Sequence, residues 1–186
     1  MASTYRNNDH GFRGFIQNTY NYFYMISSIN TFLEVWEQES AATLACLRNL
    51  TDESLGKELV PGYRSIERIA NHIVDCAASI PQEATLPLEH VKQHYNTVNE
   101  LVNAYTAASE KVKKAVTSWS DATLQEITPM YGENWKKGFA LWVTIAHQAH
   151  HRGQMTVLMR MAGLKVPGVY GPAKEEWEAY GLPKAD

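Results

Sequence analysis

The chain has 186 residues, enough for one well-buried core and close to the usual size of one domain, so a single domain is expected. Its 17 Lys and Arg against 20 Asp and Glu give a formal charge of -3, with no basic block to neutralise a run of phosphates, which argues against nucleic acid as a partner. The opening MASTYRNNDHGFRGF lacks the apolar core of a signal peptide, and no apolar run approaches the roughly 20 residues that span a bilayer, so no membrane partner is expected and the reading is cytoplasmic.

Along the chain the apolar spacing is helical, without sustained two-residue alternation between hairpin turns, and this predicts an all-α fold. Residues 1–28 hold Tyr5, Phe12, Phe15, Tyr20, Tyr22, Phe23 and Tyr24. So aromatic an extension is expected to pack on the rest of the domain or on a partner subunit, which makes a homodimer a candidate state. The first helix is expected from Ser28 to about Leu50, with Ile29, Phe32, Leu33, Trp36, Leu44 and Leu47 on one stripe. LTDESL then reads as a turn or a short capped helix.

PGYRS breaks the chain, and Ser65 is placed to cap a second helix carrying Ile66, Ile69, Ile73 and Ile80 on one face, ending near Pro81. The third helix is expected after TLPLEH, with Pro87 set for a first turn, and Val91, Tyr95, Val98, Val102, Tyr105 and Val112 at helical steps. Reaching about Trp119, it should be the longest. After a short helical piece around SDATLQEI, the fourth helix should run from about Trp135 to Ala162, stopped by Gly163. Residues 29–186 therefore read as a four-helix bundle with a turn-rich C-terminal tail across one end.

Three histidines in five residues, His147, His150 and His151, stand on that fourth helix. With His147 at zero on a helical wheel, Phe139, Val143, Val157, Leu158 and Met161 fall between about -80° and +20°, the expected buried arc. The three histidines and Gln154 lie in or beside this arc, while Gln148, Arg152, Thr156 and Arg160 point away. Imidazoles on a core face are either hydrogen-bonded packing groups or metal ligands, and a triplet favours the second. His147 and His151 stand one turn apart, about 5–6 Å between Cβ atoms, close enough to converge on one cation, and His147 with His150 could do nearly the same.

A pair needs a third ligand from another element. His72 on the second helix, on the flank shared with Asp75 and Ser79, is the first candidate. His90 and His94 also stand four apart, but Lys92 and Gln93 give them solvated surroundings, and they read as surface residues. Cys46 and Cys76 lie far apart with no CxxC spacing, so a metal is expected on nitrogen and oxygen ligands.

HQAHHRGQMTVLMRMAGLKVPGVYG resembles the C-terminal signature of the DinB superfamily, in which two histidines separated by three residues lead into Arg-Gly-Gln, a leucine-rich turn, a glycine and a proline-tyrosine tail. RSIERIANHIVD resembles the family's second-helix motif, and the likeness covers roughly residues 29 to 172. The resemblance implies an up-down-down-up four-helix bundle holding a divalent metal, zinc or nickel, on three histidines. Carried over by motif these are His72, His147 and His151, which leaves His150 as the extra one. The aromatic extension departs from the family pattern.

Three neutral imidazoles would leave coordination positions open, as in a catalytic rather than a structural site. Characterised relatives include thiol-dependent S-transferases and a mycothiol-dependent isomerase, so the resemblance implies a small-molecule substrate, with the metal activating a low-molecular-weight thiol. A metal-dependent hydrolase and a non-catalytic metal-binding stress-related protein are the alternatives. Asp75, His150 and Gln154 are candidates for groups beside the metal or proton carriers. Trp36 and Tyr170 are assigned no role.

Overall fold

Three of the four long helices begin at a hydroxyl cap. In the computed structural model, which describes residues 26–181 and 183, Ser28 accepts from the Thr31 amide to open α1 (Ile29–Arg48). Thr51 and Ser54 form a reciprocal capping box on the one-turn α2 (Asp52–Leu55), and Ser65 accepts from the Arg68 amide at the start of α3 (Ile66–Glu83). All but residues 26–28 of the aromatic extension lie outside the described residues.

The third long helix, α4 (Val98–Val116), corrects the expected boundary. Residues 90–97 are not helical, and Val91 and Tyr95 do not belong to its stripe. Thr97 and Glu100 make the capping box that starts α4, a stronger signal than Pro87. A second correction lies after a 3-10 turn at Thr123–Gln125. There β1 (Ile127–Met130) pairs antiparallel with β2 (Glu133–Lys136) around a two-residue turn, where Tyr131 and Gly132 both take positive φ, 52° and 82°. The last long helix, α5 (Lys137–Met161), follows the hairpin directly and at 25 residues is the longest. Pro81 sits inside the final turn of α3 rather than ending it.

Side-chain pairings fix the helix directions. Lys113 near the end of α4 pairs with Glu37 in the first half of α1, while the Val98 amide at the start of α4 donates to Asp52 just past the end of α1, so α1 and α4 run antiparallel. Between α3 and α4 the chain folds back along α3: His90 meets Asp75, Tyr95 exchanges two hydrogen bonds with Asn71, and His94 meets Glu67. α4 therefore starts beside the start of α3 and runs parallel to it. Arg152, midway along α5, meets Glu39, midway along α1, while Gly138 lies against Ile26, so α1 and α5 are also parallel. The result is an up-down-down-up bundle in which α3 and α1 each neighbour α4 and α5.

Phe32, Trp36, Leu47, Ile66, Ile73, Leu101, Tyr105, Leu141, Met155 and Met159 are fully buried where these helices meet. Each large apolar side chain so buried contributes roughly 1.5–3 kcal/mol. A smaller cluster of Cys76, Ile80, Met130, Trp135 and Ala140 seats the hairpin against α3 and α5. No helix of the described residues is long and apolar enough to cross a membrane.

The buried face of α5 is not the expected one. Leu141, Thr144, Ile145, Gln148, Arg152, Met155 and Met159 are buried, an arc centred about +100° from His147, whereas Val157 and Met161 are exposed. Gln148 and Arg152 are polar yet inside because each finds partners. Gln148 accepts from Tyr105 at 2.6 Å; Arg152 donates to Glu39, Thr43 and Tyr170. The wheel, with its buried arc set on the wrong side, points them away.

Candidate metal centre

The real arc puts His147 and His151 on the flank of α5 that faces α3, while His150 and Gln154 point outward and are exposed. His72 projects from α3 across the same seam. Its Nε2 lies 3.0 Å from His147 Nε2, and His147 Nε2 lies 3.2 Å from His151 Nε2. The ligand atoms of His72, His147 and His151 all fall within 4.8 Å of one another, an arrangement able to hold a metal ion. The wheel could not separate His150 from its neighbours; two helices meeting at an angle do so.

Proton bookkeeping explains why this cluster suits a cation. Gln154 Oε1 stands 2.8 Å from His151 Nδ1 and Gln154 Nε2 stands 2.9 Å from His150 Nε2. With the amide in that orientation its oxygen accepts the Nδ1 proton of His151, leaving His151 Nε2 a bare lone pair. His147 Nε2 then faces two nitrogens with at most one proton to share. With His72 and His147 also in their Nδ1–H tautomers, three lone pairs would converge on a bound metal.

The imidazoles are also held neutral, the form that binds metal. Burial lowers the pKa of His147 to about 4, with the neighbouring His151 and His72 adding to the effect. Burial likewise lowers His72, reinforced by His151 and Arg64, and lowers His151 against the opposing bond from Gln154.

Beside the three histidines lies a residue the sequence reading passed over. Cys76, one turn along α3 from His72, has Sγ 3.5 Å from His72 Nδ1, and His72, Asp75 and Cys76 form a second group with mutually close ligand atoms. The i, i+4 spacing of His72 and Cys76 was the available signal. Burial, with Asp75 adding, raises the Cys76 thiol to about 11, so with no cation beside it the thiol is protonated at neutral pH.

The other candidates distribute as follows. Asp75 accepts from His90 Nε2 at 2.7 Å, both side chains largely buried, so His90 is an inner residue rather than the expected surface one. His94 pairs with Glu67 and is exposed. Trp36 is core, and Tyr170 closes on Arg152 and Glu39.

The sequence model described as DinB family matches residues 25–185. Over 162 residues the chain is 42% identical to uncharacterized protein YrdA of Bacillus subtilis strain 168, covering 85% of this chain and 97% of that one. A crystal structure of a DinB-like protein from Bacillus cereus ATCC 10987 superposes with a TM-score of 0.75 at 37% identity, spanning 78% of this chain and all of that one.

Proposed function

The chain belongs to the DinB family, and on that premise we propose that His72, His147 and His151 hold one divalent cation, zinc or nickel, at a centre that acts on a small molecule. The observation that carries this reading is the convergence of three imidazoles from two helices, with His147 Nε2 3.0 Å from His72 Nε2 and 3.2 Å from His151 Nε2 and all three ligand atoms within 4.8 Å of one another. The resemblance noted in the sequence favours a thiol-dependent S-transferase. A cation there would supply a Lewis acid able to hold a low-molecular-weight thiol in its reactive thiolate form.

The protein's own groups supply the rest. Gln154 fixes the tautomer of His151, and His150 steadies Gln154 from outside. Asp75, whose carboxylate lies close to His72 and accepts from His90, is the proposed acceptor of the thiol proton. In the transfer, sulfur forms a bond to an electrophilic carbon as that carbon's bond to its leaving group breaks. The proton returns to an epoxide oxygen, or stays on the protein when chloride departs.

Elemental analysis of the purified protein tests the centre. Stoichiometric metal should vanish in His72→Ala, His147→Ala and His151→Ala and persist in His150→Ala; metal retained without His147 and His151 overturns the assignment. Assays pairing epoxides or chloro-aromatics with bacillithiol, glutathione and cysteine test the reaction. Thiol-independent turnover of esters or amides would make it a hydrolase instead, and bound metal without turnover a non-catalytic binder. Sizing chromatography tests the proposed homodimer.

A further inference from the structure

Two arginines stand where helix electrostatics disfavours them. Arg64 precedes the N-cap Ser65 of α3 and Arg68 lies in its first turn, the positive end of the helix dipole, where acidic side chains are the stabilising ones. The arginines that form ion pairs among the described residues are Arg152 and Arg160. Opposite them, Lys92 on the crossover segment is 80% exposed and only 3.7 Å from the nearest carboxylate oxygen, on Asp75. Together with Asn71, His72 and His94 these cations line an open cleft of about 570 Å³, within the usual range of small-molecule sites.

Two acids stand near but neither lines the cleft: Glu67 is bonded to His94 at 2.8 Å, and Asp75 to His90 at 2.7 Å and to Lys92 at 3.7 Å. A chain of net charge -3 thus gathers three cations around one concavity whose wall includes His72.

We propose that this cleft is an anion subsite: Arg64 and Arg68, with Lys92 opposite, hold a carboxylate or phosphate group of the small molecule while its reacting end lies at His72. The inference rests on the reading of the three-histidine centre as a small-molecule site. Planar guanidinium groups grip either oxyanion through paired hydrogen bonds, and a cleft of one sign draws such ligands in.

The test is calorimetric, on the full-length protein as purified with metal content measured in parallel. Mercaptosuccinate should bind about tenfold or more tightly than uncharged 2-mercaptoethanol. Arg64→Ala/Arg68→Ala should erase that preference while leaving 2-mercaptoethanol affinity and metal content unchanged. Competition by succinate identifies a carboxylate subsite, and competition by inorganic phosphate a phosphate one. A preference that survives in the double variant, or mercaptosuccinate binding that neither anion displaces, overturns the proposal. Succinate or phosphate binding that needs the arginines in a protein lacking metal would instead keep the subsite and reject the metal centre.

Discussion

His151 shows how much a single side chain depends on a neighbour outside the three-histidine set. Its Nδ1 is occupied by Gln154 Oε1, so its Nε2 is free to point at His147 and His72. Groups that orient metal-bound imidazoles usually matter by about 10–100-fold in affinity. Gln154→Ala is therefore expected to weaken metal binding by about that factor, measured by competition with a chromophoric chelator; unchanged affinity would remove the role. The proton balance gives a second test. In the unfolded chain His147 titrates near its ordinary 6.5, whereas the folded protein holds it to about 4. Between those values the unfolded state binds more protons, so the metal-stripped protein should lose stability as pH falls through 6.5 toward 4, and level off below. Denaturant midpoints across that range should fall less steeply for His147→Gln than for the parent; parallel curves would show that this imidazole is not held neutral by the fold.

At the scale of elements, the sequence located helices well and their starts unevenly. Ser28 and Ser65 cap where expected, because a hydroxyl before an apolar-periodic run is a local signal. α4 starts later than expected because Val91 and Tyr95 mimic helical spacing while their segment packs extended along α3. Thr97 and Glu100 then do the capping. Thr97→Ala should cost about 1 kcal/mol in denaturant unfolding and leave metal content unchanged; a loss of metal would tie the crossover to the centre more tightly than its hydrogen bonds suggest. The hairpin escaped notice because its strands are four residues each, too short for alternation to show, although Tyr131-Gly132 marks the turn.

Across the whole molecule, the buried ion pair joins parts that no local pattern connects. Arg152 Nη2 donates to Glu39 Oε2 at 2.7 Å and to the Tyr170 hydroxyl at 2.8 Å, while that hydroxyl donates to the same carboxylate at 3.0 Å. Two helices and the C-terminal tail are thereby locked beside the histidine-bearing segment of α5. Removing one member leaves a buried charge unpaired, so Glu39→Ala should cost about 3–5 kcal/mol in equilibrium unfolding. Tyr170→Phe should cost less, about 1–2 kcal/mol, and speed proteolytic cleavage of the tail; a tail equally resistant in both proteins would show that the hydroxyl is not its latch. The sequence by itself determined the helical class, the apolar stripes of α1 and α3 and, through the family motif, the three histidines, because periodicity and short motifs are local properties of the chain. Only the tertiary structure decided which way α5 faces, why Arg152 and Gln148 are inside, that Cys76 and His90 lie beside the site, and that Arg64, Arg68 and Lys92 share one cleft. Each of those turns on partners many residues away, and a polar side chain is buried or exposed according to whether the fold brings it one.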